Sequence, residues 1–211
     1  MNNSLLDISP VVPVVVVDDV DSAVPLARAL LAGGIGVIEV TLRSPAALGA
    51  IAVIADEVPE MFIGAGTVCS EQQALDSAAA GAKFLVSPGS TDRLLDGLDR
   101  VGLPFLAGCA TPSDMMRLIE RGVTEAKLFP ATVVGGTSLL TAISSPLPQL
   151  RFCPTGGITA ATAPDFLALP NVGCVGGTWL TPREAVKNGD WQRITALAAE
   201  AAKLRPSGKS A

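Results

Sequence analysis

Eight short apolar, β-branched runs alternate with longer helical stretches along the chain, and no other feature restricts its fold so tightly. The runs are VVPVVVV at 11–17, GVIEVTL at 36–42, MFIGAGT at 61–67, KFLVSP at 83–88, PFLAGC at 104–109, EAKLFP at 125–130, RFCPTG at 151–156 and VGCVGG at 172–177. Their starts lie 25, 25, 22, 21, 21, 26 and 21 residues apart, each gap holding one strand, one helix and two tight loops. The runs are apolar nearly throughout instead of alternating, as strands covered on both faces of a parallel sheet are. Helix boundaries are legible between them. Ser22 precedes a helical stretch that stops at Gly33, and Ser70 one that stops at Gly81. Thr111-Pro112, with a stop at Gly122, and Thr181-Pro182 each put a capping hydroxyl before a first-turn proline. The pattern predicts one α/β domain over 1–211, a closed (β/α)₈ TIM barrel at about 11–204 with a short disordered tail from Arg205. The rival is an open doubly wound sheet, which usually carries a Gly-rich phosphate turn after its first strand. Here that strand runs into Asp18-Asp19, and Gly64-Ala65-Gly66 lacks a third glycine.

Composition narrows the chemistry. The chain has no histidine and no tyrosine, which excludes histidine-ligated metal sites, Ser-His-Asp and Cys-His catalysis, and histidine bases. Net charge is −5, from 20 acids against 15 bases with no Lys/Arg cluster, so neither a nucleic-acid nor an anionic-membrane partner is expected. No run approaches the roughly 20 apolar residues of a membrane span, and Met1 to Pro10 has no basic start of a secretory signal. A soluble cytoplasmic protein is the expectation. Cys69, Cys109, Cys153 and Cys174 contain no C-x-x-C pair and read as reduced packing thiols.

A barrel of this kind carries its site at the C-terminal strand ends. The polar residues there are Glu39, Thr41, Arg43, Thr67, Ser87, Lys127, Thr155 and Thr178. Lys127 stands in the body of an apolar strand, where an ammonium is costly to keep. A neutral amine there is a nucleophile for carbonyls, the requirement for a Schiff base. The bland alternatives are an ion pair with a barrel carboxylate, or a side chain snorkelling outward. Lys83, which opens its strand at the other end of the barrel, reads as structural. Glu39 is the one acid in the interior of any of the eight runs, and Glu39, Thr41 and Arg43 share one side of an extended strand. Its alternative reading is a structural pair with Arg43. A glutamate and a lysine in one cavity are an acid/base and a nucleophile. Glycine doublets at Gly156-Gly157 and Gly176-Gly177 follow the seventh and eighth strands, where many barrels bind phosphate through backbone N–H groups. Each doublet alone also reads as a turn, as Gly135-Gly136 does. Phe129 is either an apolar wall beside Lys127 or plain core, and Trp179 and Trp191 read as helix–barrel packing.

EVTLR at 39–43, GAGT at 64–67, SPG at 87–89, KLFP at 127–130, RFCPTGGI at 151–158 and GGTW at 176–179 occur in that order. Together they resemble the 2-keto-3-deoxy-6-phosphogluconate (KDPG) and 4-hydroxy-2-oxoglutarate (KHG) aldolases, over about 11–204. The resemblance implies a cofactor-free, metal-independent class I aldolase on a homotrimeric barrel, acting on a phosphorylated 2-keto acid in Entner–Doudoroff carbohydrate metabolism. It makes Lys127 the Schiff-base lysine and Glu39 the general acid/base. Arg43, Thr67 and Thr155 would hold the pyruvate part, with Pro88 and Phe129 also against substrate. Gly156, Gly157, Gly176, Gly177 and Thr178 would hold the phosphate. Ser44 stands where threonine is expected and Thr178 where serine is, each keeping a hydroxyl. Segments 108–111 and 131–134 depart further, near the expected substrate tail. The rival functions are a 2-keto-3-deoxy-6-phosphogalactonate aldolase, a phosphosugar isomerase or epimerase using Glu39 without an imine, and a non-catalytic phosphosugar-binding barrel.

Overall fold

The structure is a computed structural model that describes residues 4–204. The expected tail from Arg205 lies outside the described residues. Eight parallel strands form the sheet: β1 Val11–Val15, β2 Val37–Thr41, β3 Phe62–Gly66, β4 Phe84–Val86, β5 Phe105–Cys109, β6 Glu125–Leu128, β7 Arg151–Pro154 and β8 Val175–Gly177. Each pairs with its sequence neighbour, β1 also pairs with β8, and two parallel bridges, Phe152 to Val172 and Thr155 to Gly176, join β7 to β8. The sheet therefore returns on itself as a barrel. Pro13 lacks a donor, yet it is tolerated inside β1 because the strand changes partner there: residues up to Pro13 register with β8, and Val14 and Val15 with β2.

Helices α1 Ala23–Ala32, α2 Ala47–Glu57, α3 Glu71–Ala79, α4 Asp92–Val101, α5 Pro112–Glu120, α6 Gly136–Ile143 and α7 Ala163–Leu167 follow the first seven strands in turn. After β8 come the short α8 Arg183–Lys187 and then α9 Trp191–Ala202. α9 closes the outer ring against α1: Thr195 Oγ1 donates to the Ala29 carbonyl at 3.0 Å, and a side chain on Gly33 would meet the Thr195 carbonyl at 2.6 Å. The caps at Ser70 and Thr111 form as the sequence indicates, the latter as a full capping box with Asp114. Two others differ. Ser22 donates its hydroxyl to the Asp19 carbonyl instead of accepting from the helix, since Asp19 already opens a 3-10 turn at Val20–Ser22. α8 begins at Arg183, with Pro182 in the cap position and no side-chain cap.

The N-terminal end of the barrel is sealed. Leu5 and Leu6, in a 3-10 turn at Leu5–Asp7, are buried there. Arg151 holds Asp7 at 2.7 Å, while Ser4 Oγ and the Leu5 N–H both donate to the Glu125 carboxylate. Lys83 sits at this end too, donating to the Pro59 and Met61 carbonyls at 3.0 and 3.2 Å. Inside, the Phe84 ring stacks on Phe62 at 5.4 Å and occupies the room that Gly64 leaves. The cavity is thus confined to the C-terminal end.

Candidate active site

Register sets the catalytic pair. In a parallel sheet, registered partners face the same side. Glu39 stands level with Val14 and Gly64, and Lys127 with Gly108 and Cys153. Both charged side chains point into the barrel, where small neighbours leave them room. Glu39 is 3% exposed and Lys127 5%, and they are the two charged members of the buried set among the described residues. Lys127 Nζ donates to Glu39 Oε1 at 3.1 Å. Lys127 therefore does not snorkel, and Glu39 pairs with it instead of Arg43. Desolvating two charges roughly cancels their attraction, so a buried pair is weak evidence of a stabilising role. Its place in an otherwise uncharged interior points to chemistry. One proton passing along this hydrogen bond leaves a free amine beside a carboxylic acid, the form a carbonyl-attacking lysine needs. Phe129 is half-buried, with Lys127 Nζ 5.5 Å from its ring centre.

Around the pair opens a cavity of ≈310 Å³. Arg43, Thr67, Pro88, Phe129 and Thr155 line it with Glu39 and Lys127, and Gly156, Gly157, Gly176 and Thr178 complete the lining. Arg43 is exposed at the mouth and makes no ion pair among the described residues, so its guanidinium is open to an incoming anion. Thr67 adopts a left-handed backbone, φ 60, immediately after β3. Gly156 and Gly157 have φ of 105 and 77, values a side chain would strain against. That loop is tied to the segment after β6: the Ala131 N–H donates to the Thr155 carbonyl at 2.8 Å, and the Thr132 N–H and hydroxyl both donate to the Gly156 carbonyl at 3.2 Å. Pro88 is folded inward over Gly108, whose missing side chain would meet the Gly89 nitrogen at 2.5 Å. Ser87 Oγ fastens this loop by donating to the Gly89 carbonyl at 2.7 Å.

Gly177 is the exception among the residues to which the resemblance gives a role, for it does not line the cavity. Strand alternation turns it away from the interior, and a side chain there would meet the Trp179 ring, 2.7 Å from Cη2. Conversely, Val14, Thr41 and Ile158 line the cavity and were not in that set. Thr41 was legible, being two residues from both Glu39 and Arg43, whereas Val14 and Ile158 read as ordinary core. Thr41 Oγ1 donates to the Val15 carbonyl at 2.8 Å, which leaves its lone pairs for the cavity.

The cysteines take no part. Burial, with a smaller push from Asp114, raises the Cys109 thiol to about 12, and the neighbouring Cys153 thiol together with burial raises Cys174. Among the described residues no group of three or more Cys, Asp and Glu side chains is arranged to hold a metal ion. No helix among them is long and apolar enough to cross a membrane.

Against this geometry, comparison with known proteins is unambiguous. The sequence profile of the KDPG and KHG aldolases matches residues 3–197. The chain belongs to the KDPG and KHG aldolase family. A 2-dehydro-3-deoxy-phosphogluconate aldolase of Pseudoalteromonas atlantica is 52% identical over 91% of this chain and 89% of its own. A KHG/KDPG aldolase of Escherichia coli is 50% identical over 94% of this chain and 93% of its own. The crystal structure of the KDPG aldolase of Legionella pneumophila, holding pyruvate as a covalent carbinolamine, superposes with a TM-score of 0.92 at 45% identity, covering 93% of this chain and 96% of that one. The family is one of lyases, and the barrel predicted from the eight runs is its fold.

Proposed function

We propose that this protein is a class I aldolase that cleaves 2-dehydro-3-deoxy-6-phosphogluconate to pyruvate and glyceraldehyde 3-phosphate, and 4-hydroxy-2-oxoglutarate to pyruvate and glyoxylate. The observation that carries the reading is the buried Lys127–Glu39 hydrogen bond of 3.1 Å at the floor of the cavity. Lys127, its proton passed to Glu39, attacks the C2 ketone with its nitrogen lone pair and forms a carbinolamine. Glu39 hands its proton to the carbinolamine hydroxyl, which leaves as water, and the protonated imine remains beside the Glu39 carboxylate. The C3–C4 bonding electrons flow into that iminium as Glu39 takes the C4 hydroxyl proton. The aldehyde leaves, an enamine remains, and Glu39 returns the proton to C3. Water then hydrolyses the imine, freeing pyruvate and Lys127. The iminium is the electron sink, so the scheme needs no metal and no organic cofactor.

Arg43 takes the substrate carboxylate, a planar guanidinium being able to bind it with two parallel hydrogen bonds. Thr67 and Thr155 flank the pyruvate part. Gly156, Gly157, Gly176 and Thr178 receive the phosphate. A homotrimeric cytoplasmic enzyme completes the reading: the trimer is what the family resemblance implies, to be checked by light scattering, and the four free thiols favour a reducing compartment. The functional test is pyruvate release, coupled to lactate dehydrogenase, from each substrate before and after exhaustive chelation. Release from both, unchanged by the chelator, is expected. No cleavage of either, or a loss that a divalent ion restores, would overturn it.

A further inference from the structure

We infer that Gly66 is a positioning residue for Glu39: the side chain missing at 66 is the space in which the Glu39 carboxylate stands. The inference deepens the reading of Glu39 as the acid/base and rests on it. β3 reads Phe62, Ile63, Gly64, Ala65, Gly66, so its two glycines share the inward face and register with Glu39 and Thr41 of β2. Neither glycine has the left-handed backbone that would call for the residue on conformational grounds. Space calls for it instead. A Cβ on Gly64 would stand 2.5 Å from Phe84 Cε2, so that room belongs to the buried ring. A Cβ on Gly66 would stand 2.6 Å from Glu39 Cγ and 2.7 Å from Cδ, and closer still to Oε1, the oxygen that accepts from Lys127.

The carboxylate therefore leans two residues up the barrel into the gap at Gly66, because Phe84 has filled the gap at its own level. The three atoms that a methyl group at 66 meets first all belong to the Glu39 side chain. Glu39 must swing out of the gap, and the contact with Lys127 goes with it. Misplacing a catalytic group by about 1 Å costs about 10²-fold in rate.

The test is a double-mutant cycle on 2-dehydro-3-deoxy-6-phosphogluconate cleavage, with folding followed by circular dichroism. Gly66→Ala should fold and lose about 10²-fold in kcat. In a Glu39→Gln background, where no acid/base is left to displace, the same change should cost less than about threefold, the non-additivity of residues acting as one unit. Glu39→Asp, one methylene shorter, should recover part of the loss when added to Gly66→Ala, although alone it slows the parent. Equal losses in both backgrounds, a Gly66→Ala enzyme at parental rate, or one that fails to fold would each overturn the role of Gly66. A Glu39→Gln enzyme at parental rate would remove the acid/base reading itself, and the inference with it.

Discussion

Thr67 carries a local cost that its neighbours do not share. It is β-branched, yet its φ is 60, a region that costs a residue with a Cβ about 1–2 kcal/mol. Strain of this kind clusters where function over-determines the backbone, and Thr67 lines the cavity at the end of β3. Thr67→Ala keeps the strain and loses the hydroxyl, whereas Thr67→Gly relieves the strain and loses the same hydroxyl. Denaturant melts should therefore find Thr67→Gly more stable than Thr67→Ala by about 1 kcal/mol, with both variants slower than the parent. Equal stability would mean that the turn relaxes and stores nothing. At this scale the sequence was most informative where a residue broke a pattern. Lys127 and Glu39 stood out because each is charged inside an apolar run, and they meet. Gly64 and Gly66 gave no such signal, since glycine in a strand reads as a weak position and the ring and carboxylate that fill the two gaps come from β4 and β2. Val14 and Ile158 were invisible for the opposite reason: apolar residues that line a cavity look like apolar residues that fill a core.

At the scale of elements, the catalytic pair and the residues proposed to hold the phosphate come from different strands, so binding and chemistry should separate. Glu39 and Lys127 belong to β2 and β6, while Thr178 follows β8 and Gly156 and Gly157 follow β7. Thr178→Val removes a hydroxyl from the proposed phosphate wall and leaves the catalytic pair intact. It should raise KM for 2-dehydro-3-deoxy-6-phosphogluconate by about tenfold, one lost hydrogen bond to a charged group, and leave 4-hydroxy-2-oxoglutarate cleavage within about twofold, since that substrate has no phosphate. Glu39→Gln should slow both substrates alike, by about 10²–10⁴-fold. Steady-state kinetics of the two variants on the two substrates decides it, and equal losses for Thr178→Val would put the phosphate elsewhere. Strand starts were legible to within a residue for seven strands because each opens a β-branched or aromatic run. β8 begins at Val175 instead of 172. Val172 meets Phe152 through an isolated bridge, outside the strand, and Gly173 is pressed against Leu6 and Arg151 of the sealed end. Gly176 faces inward and Gly177 faces Trp179, which a glycine doublet in a sequence cannot distinguish.

For the whole molecule, eight βα units at near-minimum length pointed to a barrel, and the missing Gly-rich turn after the first strand told against the open sheet. Two features of the completed barrel needed the folded chain. One is the sealed end, where Ser4, Asp7, Glu125 and Arg151 converge from positions up to 147 residues apart. The other is the meeting of Glu39 and Lys127, 88 residues apart, across the barrel. Registered strands set the height of each side chain, and closure of the sheet brings the two together, so the chemistry is a property of the closed barrel. The central claim is that Lys127 is the amine that becomes an imine. Borohydride reduction in the presence of pyruvate, followed by digestion and mass spectrometry, tests it most directly. A reduced pyruvyl adduct on the peptide containing Lys127, absent from a Lys127→Met chain, is the predicted result; an adduct confined to Lys83 or another lysine, or no adduct, would contradict it.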